Sequence, residues 1–95
     1  MRPSRAATRL TVHLPAAALW HHRPAYAEIV HRAHRTGLAG ATVLHALRSS
    51  ACAVTVVDED SRVRSFLAGL DDVLTAAAGY AVLDRVEVVD RTRGP

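Results

Sequence analysis

Between Arg9 and Leu14 apolar and polar side chains alternate, with Leu10, Val12 and Leu14 on one side and Thr11 and His13 on the other. A period of two marks a strand with one face buried. Pro15 ends it, and Ala16 to His22 read as a connection before Pro24, which suits the first turn of a helix because its missing N–H would be unpaired there anyway. From Pro24 to Thr36 the period changes to that of a helix: Tyr26, Ile29, Val30 and Ala33 share one face, and Glu28, Arg32 and Arg35 share another. Gly37 supplies a left-handed stop. Ala41 to Leu47 form a second strand, apolar on both faces and therefore expected to be covered on both. Ala51 to Val57, rich in β-branched residues, form a third. Only Arg48, Ser49 and Ser50 separate the two, which predicts an antiparallel hairpin. Asp58, Glu59 and Asp60 then place negative charge at the start of one long helix, with Asp58 or Asp60 as its cap and Val63, Phe66, Leu67, Leu70, Leu74 and Ala77 as its buried stripe. Gly79 ends that helix, and Tyr80 to Val89 form the last strand.

The predicted order is β-α-β-β-α-β. It defines an α+β, ferredoxin-like sandwich: a four-stranded antiparallel sheet with two helices on one face and the other face bare. The domain spans 9–89, between an N-terminal tail of residues 1–8 and a C-terminal tail of 90–95. A chain of 95 residues buries only about 60 to 65% of its unfolded surface, so its core is thin. A bare sheet face with apolar side chains then favours self-association.

Composition changes this picture little. All basic residues are Arg, and Lys, Asn and Gln are absent, a bias in residue usage rather than a signature of a partner. The net charge of +3 permits a polyanion, but the Arg residues are scattered. Modules of this topology that bind RNA stack bases on aromatic residues of the third strand, and Ala51 to Val57 contain none, so nucleic acid is not expected as a partner. No stretch approaches the roughly 18 apolar residues of a membrane span, and His13 and Pro15 interrupt the one segment resembling a signal peptide. The single cysteine, Cys52, reads as a buried thiol, and the expected location is the cytoplasm.

Catalysis is not expected, and neither is a cofactor. Asp58, Glu59, Asp60, Asp71 and Asp72 all fall at helix starts or on exposed helix faces, and no Ser-His-Asp or Cys-His arrangement is present. An acylphosphatase-like enzyme would need an arginine phosphate cradle and an Asn that this chain lacks. Two clusters remain. His21, His22, Arg23 and Tyr26 gather at a helix start, where anions are favoured, and form the candidate ligand site. The plainer account packs Trp20 and Tyr26 in a subunit interface and pairs Arg23 with a carboxylate. His31 and His34, three residues apart on a helix, are the candidate ligands of the alternative reading, a histidine-based trimer binding a divalent metal; a third ligand is missing.

The run Trp20-His21-His22-Arg23-Pro24-Ala25-Tyr26-Ala27-Glu28-Ile29-Val30, then Ala33-His34 and Gly37-Leu38-Ala39-Gly40-Ala41-Thr42-Val43, resembles the PII-like proteins of domain-of-unknown-function family 190. Arg62 to Leu67 with Leu70, and Leu83 to Val89, resemble that family's second helix and last strand, so the likeness covers about residues 9 to 89. The resemblance implies a homotrimer with a regulatory or signalling role, acting on an unidentified protein partner or through small effectors, often adenine nucleotides, held in clefts between subunits. It also implies a long loop between the second and third strands. Here only Leu47-Arg48-Ser49-Ser50-Ala51 stand in that place, so any adenine-nucleotide site is expected to be reduced or impaired.

Overall fold

The computed structural model describes residues 4–46 and 50–90. In chain order the elements are β1 (Ser4–Pro15), β2 (Leu19–Trp20), β3 (Arg23–Pro24), α1 (Ala25–Arg35), β4 (Ala41–His45), β5 (Ala51–Asp58), α2 (Asp60–Ala68), α3 (Asp71–Ala77) and β6 (Tyr80–Val89). The main sheet has the order β4-β5-β1-β6 and is antiparallel throughout, as the ferredoxin-like arrangement requires. Its helices cover one face.

Alternation along β1 selects that face. Leu10, Val12 and Leu14 are buried and meet Val56, Val54 and Cys52 across the ladder. Ala25, Ile29 and Ala33 of α1 and Val63, Phe66, Leu70, Val73 and Ala77, contributed by α2, α3 and the junction between them, close the core above. Cys52 is buried as expected, and burial pushes its thiol pKa up, which keeps it protonated.

β1 begins at Ser4 rather than Arg9. β5 ends opposite Thr8, so Ser4–Ala7, expected as tail, continue as a two-stranded ribbon against Val86–Val89 of β6. The end of α1 follows the prediction closely. Gly37 is left-handed (φ +75°), its N–H donates to the His34 carbonyl, and the Leu38 N–H donates to the Ala33 carbonyl, which makes a Schellman motif with buried Leu38 as its apolar plug. At the other end Pro24 is the residue before the helix rather than within it, and it pairs with Leu19.

Four expectations are corrected. The long helix is two: around Gly69 the bonds tighten, Gly69 N–H to the Phe66 carbonyl and Leu70 N–H to the Leu67 carbonyl, while the Gly69 carbonyl accepts from Arg32 at 2.9 Å. Neither Asp58 nor Asp60 caps it: Glu59 precedes α2 without a side-chain cap, and Asp58 is buried at the end of β5 instead of lying exposed at a helix start. There the Asp58 carboxylate accepts from the Glu59 N–H (2.7 Å) and the Ala39 N–H (3.1 Å) and pairs with Arg62. The left-handed residue that stops α3 is Ala78 (φ 54°), not Gly79. And β4 is covered on one face only, with Leu44 59% exposed on the other.

The predicted turn through Arg48 and Ser49 lies outside the described residues. Its flanks pair as an antiparallel hairpin, His45 against Cys52, with the Ala46 N–H donating to the Ala51 carbonyl.

Candidate effector site

The connection 16–24 carries a structure that its sequence does not announce. β2 and β3 form a two-residue ladder, Leu19 against Pro24 and Trp20 against Arg23. His21 (φ 49°) and His22 (φ 68°) turn the corner between them, both left-handed as in a type I′ turn. Asn-Gly is the usual pair there; each left-handed His costs roughly 1–2 kcal/mol of backbone strain. Arg32 holds the hairpin in place. Its guanidinium lies 5.4 Å from the Trp20 ring and bonds Glu28 (2.7 Å) and Asp72 (2.9 and 3.2 Å), tying β2, α1 and the start of α3 together. Those bonds hold the Glu28 and Asp72 carboxyls below their ordinary pKa values.

The four predicted ligand residues are not brought to one point. His21, His22 and Arg23 are exposed at the hairpin, with the His21 ring against Trp20. Tyr26 is half-buried in the first turn of α1 and meets the His45 ring edge-on at 5.1 Å. Among the described residues Arg23 pairs with no carboxylate. His31 and His34 are exposed on α1, and among the described residues no three His, Cys, Asp or Glu side chains converge to hold a metal ion.

The bare sheet face provides a second surface. Leu44 at 59%, Tyr80 at 62% and Val82 at 45% exposure project from it. A shallow concavity of about 640 Å³ crosses all four strands and is lined by Arg9, Thr11, Thr42, Leu44, Thr55 and Asp84, among others. Arg9 and Asp84 form a fork-to-fork pair in it (3.1 and 2.6 Å). Where β1 ends and β5 and β6 begin, His13 stacks on Tyr80, ring centroids 4.9 Å apart and planes within 19°. That stack walls a concavity of about 350 Å³ also lined by Leu14, Pro15, Ser50, Ala51 and Ala78. An apolar recess with an aromatic wall suits a flat heterocycle. The sequence does not single out His13, His45 or Tyr80 as site residues; 67 positions separate His13 from Tyr80, and only the pairing of β1 with β6 joins them. The one signal it offers is the place of His13 on the polar side of an alternating strand. Among the described residues no helix is long and apolar enough to cross a membrane.

Residues 7–52 match the DUF190 family (Uncharacterized ACR). Among curated proteins, none matches this sequence. Among solved structures, the apo form of CPII, a nitrogen regulatory PII-like protein from Thiomonas intermedia K12, superposes with a TM-score of 0.77 at 14% identity, covering 96% of this chain and 100% of that one. A structure of CPII bound to ADP, AMP and bicarbonate gives 0.72 at 16% identity, covering 90% and 93%. A PII-like signalling protein from Thermus thermophilus gives 0.73 at 15% identity, covering 90% and 91%. At these identities the structures share the fold. The family match through residues 7–52, set on a fold shared along nearly the whole chain with PII-like proteins, makes the chain similar to PII-like proteins of DUF190 type in its first half and in its fold.

Proposed function

We propose that this protein is a PII-like regulatory module that assembles with copies of itself through the bare sheet face and takes an adenine nucleotide at the rim of that face. The observation that carries the reading is the fold shared along 90% of the chain with CPII in its ADP- and AMP-bound form. The face itself supports assembly. It is apolar at Leu44, Tyr80 and Val82, and the guanidinium and carboxylate that line its broad concavity, Arg9 and Asp84, neutralise one another, so two copies can meet there without excess charge of either sign. A homotrimer is the expected form, in the cytoplasm, with an unidentified protein as the receiver of the signal.

Two places compete for the nucleotide. The recess beside the His13–Tyr80 stack offers an apolar wall for a purine. The hairpin residues His21, His22 and Arg23, with Tyr26, offer positive charge for phosphate. Isothermal titration of the full chain with ADP and AMP, alongside light scattering, tests the reading. Binding that Tyr80→Ala removes places the base in the recess; binding lost in a His21→Ala/His22→Ala/Arg23→Ala variant places the nucleotide at the hairpin. A stable monomer at micromolar concentration with no heat from either nucleotide would overturn the proposal.

A further inference from the structure

We infer that the outer edge of β6 pairs with the same edge of a second copy, antiparallel and about a two-fold axis, which joins two four-stranded sheets into one; this interface is separate from the bare face proposed above. β6 ends the strand order β4-β5-β1-β6, so β1 satisfies one side of it and, among the described residues, no strand lies along the other. β4, at the opposite edge, is 5 residues long, whereas β6 has 10. A short strand blunts its own edge; a long one presents a row of unpaired N–H and C=O groups that templates another strand. β6 contains no Pro or Gly to interrupt that row, and its Val residues favour pairing.

Charge selects the occupant and the register. Asp84 and Asp90, on the bare-face side of the strand, are held by Arg9 and Arg5. Arg85 and Glu87, on the helix side, are exposed, and among the described residues neither forms an ion pair. Asp60, whose charge reaches Arg85, is already bonded to Thr8 and Arg64. Two antiparallel copies related by a two-fold axis oppose only residues of the same face. With Val86 opposite its own copy, residues 82–90 pair throughout, each Arg85 faces the copy's Glu87, and Leu83 faces the copy's Val89. Symmetry forms the charge pair twice. Centring the pairing instead on Asp84, Arg85 or Glu87 would set that charged residue against itself. Charges on an edge commonly forbid pairing; these forbid the neighbouring registers and satisfy one.

Sedimentation velocity of the full chain over a dilution series at low ionic strength is the test, with circular dichroism to show that each variant folds. Glu87→Arg sets two arginines opposite one another, and Arg85→Glu sets two glutamates. Each is expected to weaken association at least about tenfold and to leave particles with half the copies of the wild type. The double variant Arg85→Glu/Glu87→Arg restores opposite charges and is expected to recover wild-type association, as is an equimolar mixture of the two single variants. Amides within 82–90 should exchange more slowly in the associated wild type and lose that protection in either single variant. A trimer whose size neither folded single variant alters overturns the edge pairing and leaves the bare-face assembly standing. Weakening that neither the double variant nor the mixture rescues overturns it as well, because the charges would then act elsewhere. A monomeric wild type overturns the edge pairing and the bare-face assembly together.

Discussion

Ala78 and Gly79 make a test of where the backbone turns left-handed. α3 ends in the same Schellman geometry as α1: the Ala78 N–H donates to the Thr75 carbonyl and the Gly79 N–H to the Leu74 carbonyl. In α1 glycine holds the left-handed position and leucine follows; in α3 alanine holds it and glycine follows. Glycine at 79 answers a different need, because a Cβ there would lie 3.0 Å from the His13 carbonyl oxygen and 3.3 Å from both Leu14 Cβ and Leu74 Cδ2. Ala78→Gly relieves roughly 1–2 kcal/mol of left-handed strain and gives back about 0.4–1 through the freer unfolded chain, a net gain near 1 kcal/mol. Gly79→Ala forces a methyl against backbone and a core strand, a loss of about 2 kcal/mol. For a domain of this size about 1 kcal/mol moves the Tm by about 4–8 °C, so the first variant should melt higher by about that and the second lower by about twice as much. Thermal unfolding followed by circular dichroism at fixed protein concentration reads both. A Gly79→Ala protein melting with the wild type, or an Ala78→Gly protein melting below it, would refute the assignment.

Leu10→Ala should cost about 2–5 kcal/mol in urea titration, since Leu10 is fully buried in the central strand, whereas Leu44→Ala on the open face should change the unfolding of the separated chain by less than about 0.5 kcal/mol while weakening association. Asp58→Ala should destabilise by about 1–3 kcal/mol by stranding the Ala39 N–H and removing the carboxylate partner of Arg62, which keeps its bond to the Gly37 carbonyl, with amide exchange at Ala39 rising first. Arg32→Met should unmask a pH dependence. The bonds from Arg32 hold Glu28 and Asp72 below their ordinary values, so their stabilisation is fully present above the ordinary carboxylate range and lost as pH falls through the lowered folded-state values. The Tm gap between wild type and Arg32→Met should therefore be widest near neutrality and narrow in acid; a gap independent of pH would show that Arg32 acts through Trp20 and the Gly69 carbonyl rather than through the two carboxylates.

The order of the main elements, the two layers and the stop at Gly37 are legible because they depend on local signals: a period of two, a period of 3.6 and a glycine after the last helical residue. What escapes depends on partners remote in sequence. The break at Gly69 keeps the apolar stripe in phase, since Phe66, Leu70, Val73 and Ala77 are all buried, so periodicity cannot reveal it. Its structural correlate is Arg32, 37 residues earlier, which takes the Gly69 carbonyl. Asp58 reads as a helix cap because acids before helices usually are; the chain instead brings the Ala39 N–H and Arg62 to it and makes it a buried joint between β5, α2 and the loop entering β4. The candidate site divides along the same line. His21 and His22 stand out as neighbours in sequence, yet their turn lacks the Asn-Gly or Gly-Gly pair that usually marks two left-handed residues, so the pattern does not reveal the hairpin. His13 and Tyr80 have no neighbouring signal at all and become a pair only when β1 lies beside β6. That surface joins the chain's first strand to the first residue of its last, and any ligand or subunit resting there would contact both β1 and β6. Binding at that surface would therefore couple to the pairing of the inner strand β1 with the edge strand β6, which a hairpin fastened to the helix layer by Arg32 does not share.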